Sequence, residues 1–508
     1  MKNRLLFFFV LATSSLNAQS FNPALAAKLQ FTLDSLTTMF NNTKGMSASV
    51  YYPGQGIWQG TSGLSYTGQP ITTDMAFGLA SNSKLFTAVT LLKLAEDNVL
   101  SLNDALHEWI PAYPNINSNI TIRQLLNHTS GVSDPFFSTS LLDSVNAHPT
   151  HVYTPEEVLA WVGPPLFAPG ASSGYSNINY ILAGLVAESA TGVPISELIR
   201  NSILTPLQMD STFFDIQEPA TGNIAHRWED GIDFHDTSRI SLNTSVGPAG
   251  SLFSTSGEMA QWYHALMSGE VLNAGSFAEM TTFAPPGNLG LGLGLFTFFG
   301  NTCWGHGGST IGYKNRMIYD PCMQAVVCGL SNSNPTAVDG ITALLYKVLV
   351  DNLPACSGAI SGISTVCQGQ NNVTYTVPLI ANTSTYTWTL PTGASGTSST
   401  NSITVNYGTS AVSGLITVSG NNSYGDGAAS SMNIIVQPTP NPVISGSSDS
   451  CQEGIQTYSV VPGIPGTTYA WIVTNGTIVS GCGLSDSSCT VQWGAIGNGG
   501  ISVVQTNP

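Results

Sequence analysis

Ser81 stands three residues before Lys84 in "ASNSKLFTAV", a pairing of alcohol and amine that acyl transfer can use. A lysine beside a serine hydroxyl can take its proton once the amine is neutral, leaving an oxygen able to attack a carbonyl carbon. Two other short stretches carry groups that such a reaction needs. Tyr175-Ser176-Asn177 precedes an apolar periodic run, and His306-Gly307-Gly308 lies within "CWGHGGSTIGY". Each has an ordinary reading by itself: a helix cap for Ser81, a packed aromatic for Tyr175, a satisfied core imidazole for His306. Their joint occurrence gives the chemical reading its weight.

The elements that must position these residues are visible in the periodicity. Leu85, Ala88, Val89, Leu92 and Ala95 recur at helical spacing, so a helix runs from about Asn82 with Ser81 at its start. Residues three apart share a helix face, which sets the Lys84 amine beside the Ser81 hydroxyl. The partial positive charge of the helix N-terminus favours an alkoxide and depresses the amine pKa. A second helix runs from about Ile178 to Ala190, directly after Asn177, and His306 falls in a strand.

Around them, "NPALAAKLQFTLDSLTTMF" and "PTAVDGITALLYKVLV" read as helices, while "SASVYY", "GLGLFTFFG", "YKNRMIYD" and "QAVVCGL" read as strands. The strands gather at the two ends of this region and the helices in its middle. One sheet built from both ends, with a helical subdomain inserted, is the expected α/β (α+β) arrangement.

Several look-alikes are set aside. Gly170-Ala171-Ser172-Ser173-Gly174 fits the G-x-S-x-G elbow, but the proline-rich "PPLFAPG" before it is no strand. Tyr113-Pro114-Asn115 copies Tyr-x-Asn in a proline-flanked loop. "LGLGLGL" from Leu289 lacks the Lys and the helix start of a phosphate loop and reads as a sheet strand. No C-x-x-C pair occurs, and His148 and His151 form a lone loop pair, so neither a metal nor a cofactor is expected.

Composition bounds the function. The formal net charge of −16 repels phosphate backbones and anionic lipid, which argues against nucleic-acid and peripheral-membrane roles. "MKNRLLFFFVLATSSLNA" has the plan of a secretory signal, with cleavage expected after Ala18. Export to the periplasm, the cell surface or the medium follows, and no later apolar run reaches the length of a membrane span. The eight cysteines, all at or beyond Cys303, suit an oxidising compartment. Their pairing stays open; Cys482 with Cys489, or Cys451 with one of these, are possibilities.

No lysine or arginine follows Lys347, and the chain beyond Pro354 turns rich in Gly, Ser, Thr and Asn, with short β-branched runs. It also repeats itself: Cys367 aligns with Cys451, Tyr375 with Tyr458 and Trp388 with Trp471. The expected organisation is a signal at 1–18, a hydrolase-like region at 19–354, and two immunoglobulin-sized β-sandwiches at 357–438 and 440–508. The second is expected to stop short of the strand that "SSMNIIVQP" supplies in the first.

Ser81-x-x-Lys84, Tyr175-x-Asn177 and His306-Gly307-Gly308, taken in order, resemble the serine β-lactamase and penicillin-binding-protein group, including class C β-lactamases, D-alanyl-D-alanine carboxypeptidases and related esterases. "ITIRQLLNHTSGV", "PGASSGYSN" and "PLQMDSTFF" look like that group's connecting segments, and the resemblance covers about 21–352. It implies an antiparallel sheet, a Ser81 acyl-enzyme, Lys84 and Tyr175 in proton transfer, and Asn177 beside Lys84. It also implies an oxyanion hole from the backbone N–H groups of Ser81 and Ser309, with Gly307 and Gly308 letting a substrate chain approach. The tail resembles PKD-like modules, which imply cell-surface or polysaccharide contacts.

His306 stands where β-lactamases of this group carry lysine. With an ordinary imidazole pKa of about 6.5 it is expected to titrate near neutrality and read substrate charge. Tyr175 needs its phenol drawn down from about 10 to serve as a base. The expected activity is hydrolysis of small esters, amides, D-amino-acid peptides or β-lactams; the competing reading is a non-catalytic surface-binding or adhesion protein on a degenerate hydrolase fold.

Overall fold

The computed structural model describes residues 20–283 and 287–507; the expected export signal lies outside them. The chain divides into two compact units. One takes in the chain through Ala355 together with Asn422–Ala428, the other Cys356–Asn421 and the chain from Ala429.

In the first unit seven strands form an antiparallel sheet: β1 (Gly45–Tyr52), β2 (Gly56–Tyr66), β3 (Gln69–Pro70), β4 (Gly294–Phe298), β5 (Asn301–Thr310), β6 (Tyr313–Asp320) and β7 (Ala325–Ser331). Their spatial order is β3-β2-β1-β7-β6-β5-β4. The pairing of β1 with β7, Met46 opposite Ser331 through Tyr51 opposite Val326, joins the two ends of the region into one sheet. Both faces of β7 are buried, which is why "AVVCGLS" is almost continuously apolar.

Helix α1 (Pro23–Met39) starts where the Asn22 side chain accepts from the Ala24 and Leu25 N–H groups, and it buries Leu25, Leu29 and Leu33 along one stripe. With α5 (Val338–Asn352) it covers one face of the sheet; α4 (Ser256–Met267) packs on the other. Between β3 and β4 lies the helical insertion, whose central pair is α2 (Ser83–Glu96) against α3 (Ile178–Thr191). Phe86, Val89, Ile181 and Leu182 from this pair belong to one apolar core with Phe77, Leu252 and Met317 from strands. A core shared this widely fixes α2 against the sheet.

One expected strand is shorter than read. Only Gly294–Phe298 of the "LGLGLGL" segment and its continuation is strand. Gly292, at φ +77, lies so close to α2 that an added Cβ would sit 2.8 Å from the Ala88 Cβ and 3.1 Å from the Leu85 Cα. Close helix packing, and not sheet pairing, explains that glycine.

In the second unit the repeat persists down to single hydrogen bonds. Tyr375 donates its hydroxyl to the Ile363 carbonyl at 3.1 Å, and Tyr458 donates to the Ser447 carbonyl at 3.0 Å. Trp388 and Trp471 donate their indole N–H to the Thr400 and Asp486 carbonyls, each at 2.9 Å. Thr385–Thr389 pairs with Gly414–Asn422 as Thr468–Thr474 pairs with Gly500–Thr506. Of the cysteine pairings left open, Cys482–Cys489 is a disulfide, whereas Cys367 and Cys451 are exposed free thiols.

Candidate active site

Ser81 sits in a single 3-10 turn, Ala80–Asn82, that feeds α2 one residue later than expected. The delay has a backbone cause: Ala80 is held at φ +46, a left-handed conformation that costs a residue with a Cβ about 1 kcal/mol or more. Asn82 does not cap the helix. Its Nδ2 donates to Asn315 Oδ1 at 2.5 Å, and Asn315 on β6 returns Nδ2 to the Gly78 and Leu79 carbonyls at 3.0 and 3.1 Å. The strained turn is thus tied to the sheet on both sides of Ser81.

Lys84 is fully buried, and each of its N–H bonds has an acceptor: Ser81 Oγ at 3.1 Å, Asn177 Oδ1 at 2.7 Å and the Ala249 carbonyl at 2.7 Å. Burial pulls its pKa down to about 7, with the Asp134 carboxylate opposing the fall. An amine so poised exchanges a proton with Ser81 at ordinary pH.

Asn177 precedes α3 and, like Asn82, does not cap its helix. Its orientation comes from Asp134, whose Oδ2 accepts from the Asn177 backbone N–H at 2.7 Å and from Nδ2 at 2.8 Å. With Nδ2 so held, Oδ1 faces Lys84. Tyr175 hydrogen-bonds Ser81, lies 5.1 Å from Lys84 Nζ at its ring centroid, and stacks on His128 at 4.4 Å. His128 Nδ1 accepts from the Ser176 N–H at 3.1 Å and lies 3.2 Å from Asn179 Nδ2. A ring nitrogen that accepts carries no proton, so this imidazole is neutral, in line with burial pushing its pKa well down.

Two expectations about titration are overturned. Burial raises the Tyr175 phenol far above its ordinary range instead of lowering it, and the approach of Lys84 does not compensate. His306 is pushed down to about 4, by burial first and then by the Lys84 charge, so it is neutral across physiological pH and does not switch near 6.5. Its Nδ1 lies 2.6 Å from the Gly307 carbonyl, which can only accept, so the ring proton is on Nδ1.

β5 pairs with β4 only from Asn301 to Gly305; from His306 onward its outer edge has no strand beside it among the described residues and borders a cleft of about 570 Å³. Ser81, Tyr175, Asn177, His306, Gly307, Gly308 and Ser309 all line this cleft, with Lys84 beneath them. The two glycines differ. A Cβ on Gly308 would sit 2.2 Å from the Leu79 carbonyl, so its lack of a side chain lets the nucleophile turn meet the strand. A Cβ on Gly307 would meet nothing nearer than 3.5 Å, and what it leaves open is cleft. Ser172 and Tyr113, the look-alikes, are not among the lining residues.

Asp134, His128, Asn82 and Asn315 are absent from the sequence-based site. A buried charge or amide is costly unless paired, so "NHTSGVSD", polar within an otherwise apolar insertion, was the available signal for the first two.

The beta-lactamase family model matches residues 33–351, and that of the PKD-like domain matches 353–434 and 437–508. Protein flp of Staphylococcus aureus (strain NCTC 8325 / PS 47) is 26% identical over 293 residues, which cover 54% of this chain and 56% of that protein. The chain thus spans about half the length of this curated relative. Among solved structures, a D-stereospecific amidohydrolase from Streptomyces sp. is 28% identical with a TM-score of 0.54, over 63% of this chain and 97% of that one. D-amino acid amidase from Ochrobactrum anthropi SV3, complexed with L-phenylalanine, is 25% identical with a TM-score of 0.57, over 64% and 98%.

Proposed function

The chain belongs to the beta-lactamase family, with PKD-like domains after the hydrolase fold, and we propose that it is a serine hydrolase working through a Ser81 acyl-enzyme on esters and amides that lack a carboxylate and have an apolar acyl side. The observation that carries this reading is the fully buried Lys84 amine, poised near neutrality 3.1 Å from Ser81 Oγ.

Neutral Lys84 takes the Ser81 proton as Oγ bonds to the substrate carbonyl carbon. The N–H groups of Ser81 and Ser309 receive the oxyanion. Collapse breaks the bond to the leaving group, which takes a proton from the Tyr175 phenol, and Lys84 replaces that proton. Tyr175 therefore works as a protonated relay, a role that its raised pKa suits better than that of a phenolate base. Water then repeats the sequence on the Ser81 ester, freeing the acid and restoring the hydroxyl.

Substrate class follows from the walls of the cleft. Phe136, Phe137, Leu142, Leu242 and Val246 make one side apolar. On the other side Lys314 and Arg316 both pair with Asp339, each at 2.9 Å, and Glu229 adds a second carboxylate, so these charges cancel. With His306 neutral as well, that wall offers a substrate carboxylate no net positive charge. This favours esters, amides and D-amino-acid amides over β-lactams and D-alanyl-D-alanine peptides; the names of the D-stereospecific amidohydrolase and the D-amino acid amidase agree with the amide part of that preference.

Fluorophosphonate labelling with mass mapping, joined to turnover of a p-nitrophenyl ester, D-phenylalanine amide, a chromogenic cephalosporin and a D-alanyl-D-alanine peptide, tests the reading. Label on Ser81 and faster turnover of the two substrates that lack a carboxylate are expected. Label on Ser172, or none, overturns the acyl-enzyme; preference for the cephalosporin overturns the substrate class. The N-terminal sequence and the Cys482–Cys489 bond support an exported location. Cell-surface or polysaccharide contacts are the role we assign to the repeats.

A further inference from the structure

Asp134 touches neither Ser81 nor Lys84 in any hydrogen bond, yet its two oxygens divide between the two sides of the acylation site. Oδ2 takes both donors of Asn177, backbone N–H and Nδ2, at 2.7 and 2.8 Å. Oδ1 takes the Phe136 N–H at 2.9 Å, and the Asp134 carbonyl takes the Phe137 N–H at 3.3 Å, which seats the Pro135–Phe137 turn. That turn places Phe136 and Phe137 in the apolar wall of the cleft, with Phe137 73% exposed. We propose that Asp134 is a positioning residue that aims the Asn177 amide at Lys84, sets the proton affinity of that amine, and seats the acyl-side wall. This rests on the acyl-enzyme reading above.

The aiming follows from the chemistry of an amide. Asn177 has one acceptor and one donor group, and a carboxylate can only accept, so Nδ2 must face Asp134 and Oδ1 must face Lys84. Without the carboxylate the amide can turn over and present N–H to an ammonium. The setting of proton affinity follows from which neighbours are charged. Lys84 is faced by Tyr175 and Tyr180, ring centroids at 5.1 and 5.7 Å, by His128 and His306, and by Asp134. Burial keeps both phenols protonated and both imidazoles neutral. Asp134 is therefore the anion that acts on Lys84 among the described residues, and it holds the ammonium form up against burial.

The test is the pH dependence of Ser81 labelling by a fluorophosphonate, together with kcat/KM for a short and a medium-chain p-nitrophenyl ester, in the full chain and in Asp134→Asn and Asp134→Glu. Labelling reads only folded molecules, so a partly misfolded variant stays informative. In Asp134→Asn the acid limb should move to lower pH by on the order of 1 unit, because removing an anion favours the neutral amine. The plateau rate should fall about 10- to 100-fold as Asn177 loses its orientation. Asp134→Glu keeps the charge, so its limb should stay near that of the parent while its plateau falls. The preference for the longer ester should shrink in both. The 13Cε resonance of Lys84, assigned with Lys84→Arg, gives the same titration without catalysis. Unlabelled parent protein would refute the acyl-enzyme and leave the NMR shift to judge Asp134. A limb and a Lys84 titration that stay in place in Asp134→Asn would overturn the proposal.

Discussion

The hydrolase unit and the repeat unit bury polar groups for different ends. In the first, Lys84, Asn82, His128 and Asn315 are all almost fully buried, and each is held by named partners at the cleft or directly behind it. In the second no lysine or arginine occurs at all, and the polar contacts that repeat between its halves are neutral hydroxyl and indole bonds from Tyr375, Tyr458, Trp388 and Trp471 to backbone carbonyls. A buried ammonium costs several kcal/mol unless compensated, whereas a phenol donating one bond is close to neutral. The first unit therefore carries an expense that folding alone does not require. The second carries no such buried charge among these repeated contacts.

The largest expected effect on this contrast comes from Lys84→Ala. The acylation rate should fall by about 100-fold or more, the scale of general-base loss, while thermal stability changes far less, since the charge being removed is itself a burden. Stopped-flow labelling alongside a melting curve checks both. A loss of folding with no separate loss of rate would make Lys84 structural, like the residues of the repeats.

Next comes the pH profile of the unmodified chain. kcat/KM for a neutral ester should rise as pH passes through about 7, because the working form of Lys84 is the neutral amine and its pKa lies there. It should then stay level, without the fall that a phenolate or a second titrating group would add. The ratio of ester to cephalosporin rates should show no inflection at the ordinary imidazole value of about 6.5; an inflection abolished by His306→Gln would restore His306 as a charge reader.

The smallest effect belongs to the repeats. Tyr375→Phe leaves the Tyr407 hydroxyl and the Ile363 carbonyl each without the partner they have at 2.7 and 3.1 Å, at a cost of about 1–3 kcal/mol to that fold. Ester turnover should not change. Denaturation followed by tryptophan fluorescence reads the first quantity, and turnover at a temperature below the transition the second.

Much of this was legible in the chain itself, for reasons that differ residue by residue. Ser81 and Lys84 are one helical turn apart, so spacing alone brings them together. Tyr175, Asn177 and His306 needed the resemblance, because only the fold brings them to that turn. The eight positions picked from the sequence come together at one cleft. Asp134 and Asn315 stayed hidden because their partners, Asn177 and Asn82, lie far off in sequence, and nothing in periodicity links them. The errors concern protonation. Residue type puts His306 at its solution value and the chemistry asks for a lowered Tyr175, yet both titrate according to how deeply they lie, a property that residue type does not carry.

The bare edge of β5 has one more consequence. From His306 to Thr310 it offers main-chain groups to whatever lies in the cleft, while β4 shields the rest of the strand. An exposed edge usually invites another protein to add a strand. This one is too short to zip up with a neighbour, yet long enough to seize one extended peptide unit. Recognition through main chain is indifferent to side-chain identity, so the proposed acyl transfer should tolerate varied side chains along that edge and leave selection to the apolar wall and the charge balance of the cleft. An inhibitor for it would be better designed around backbone geometry than around any one residue.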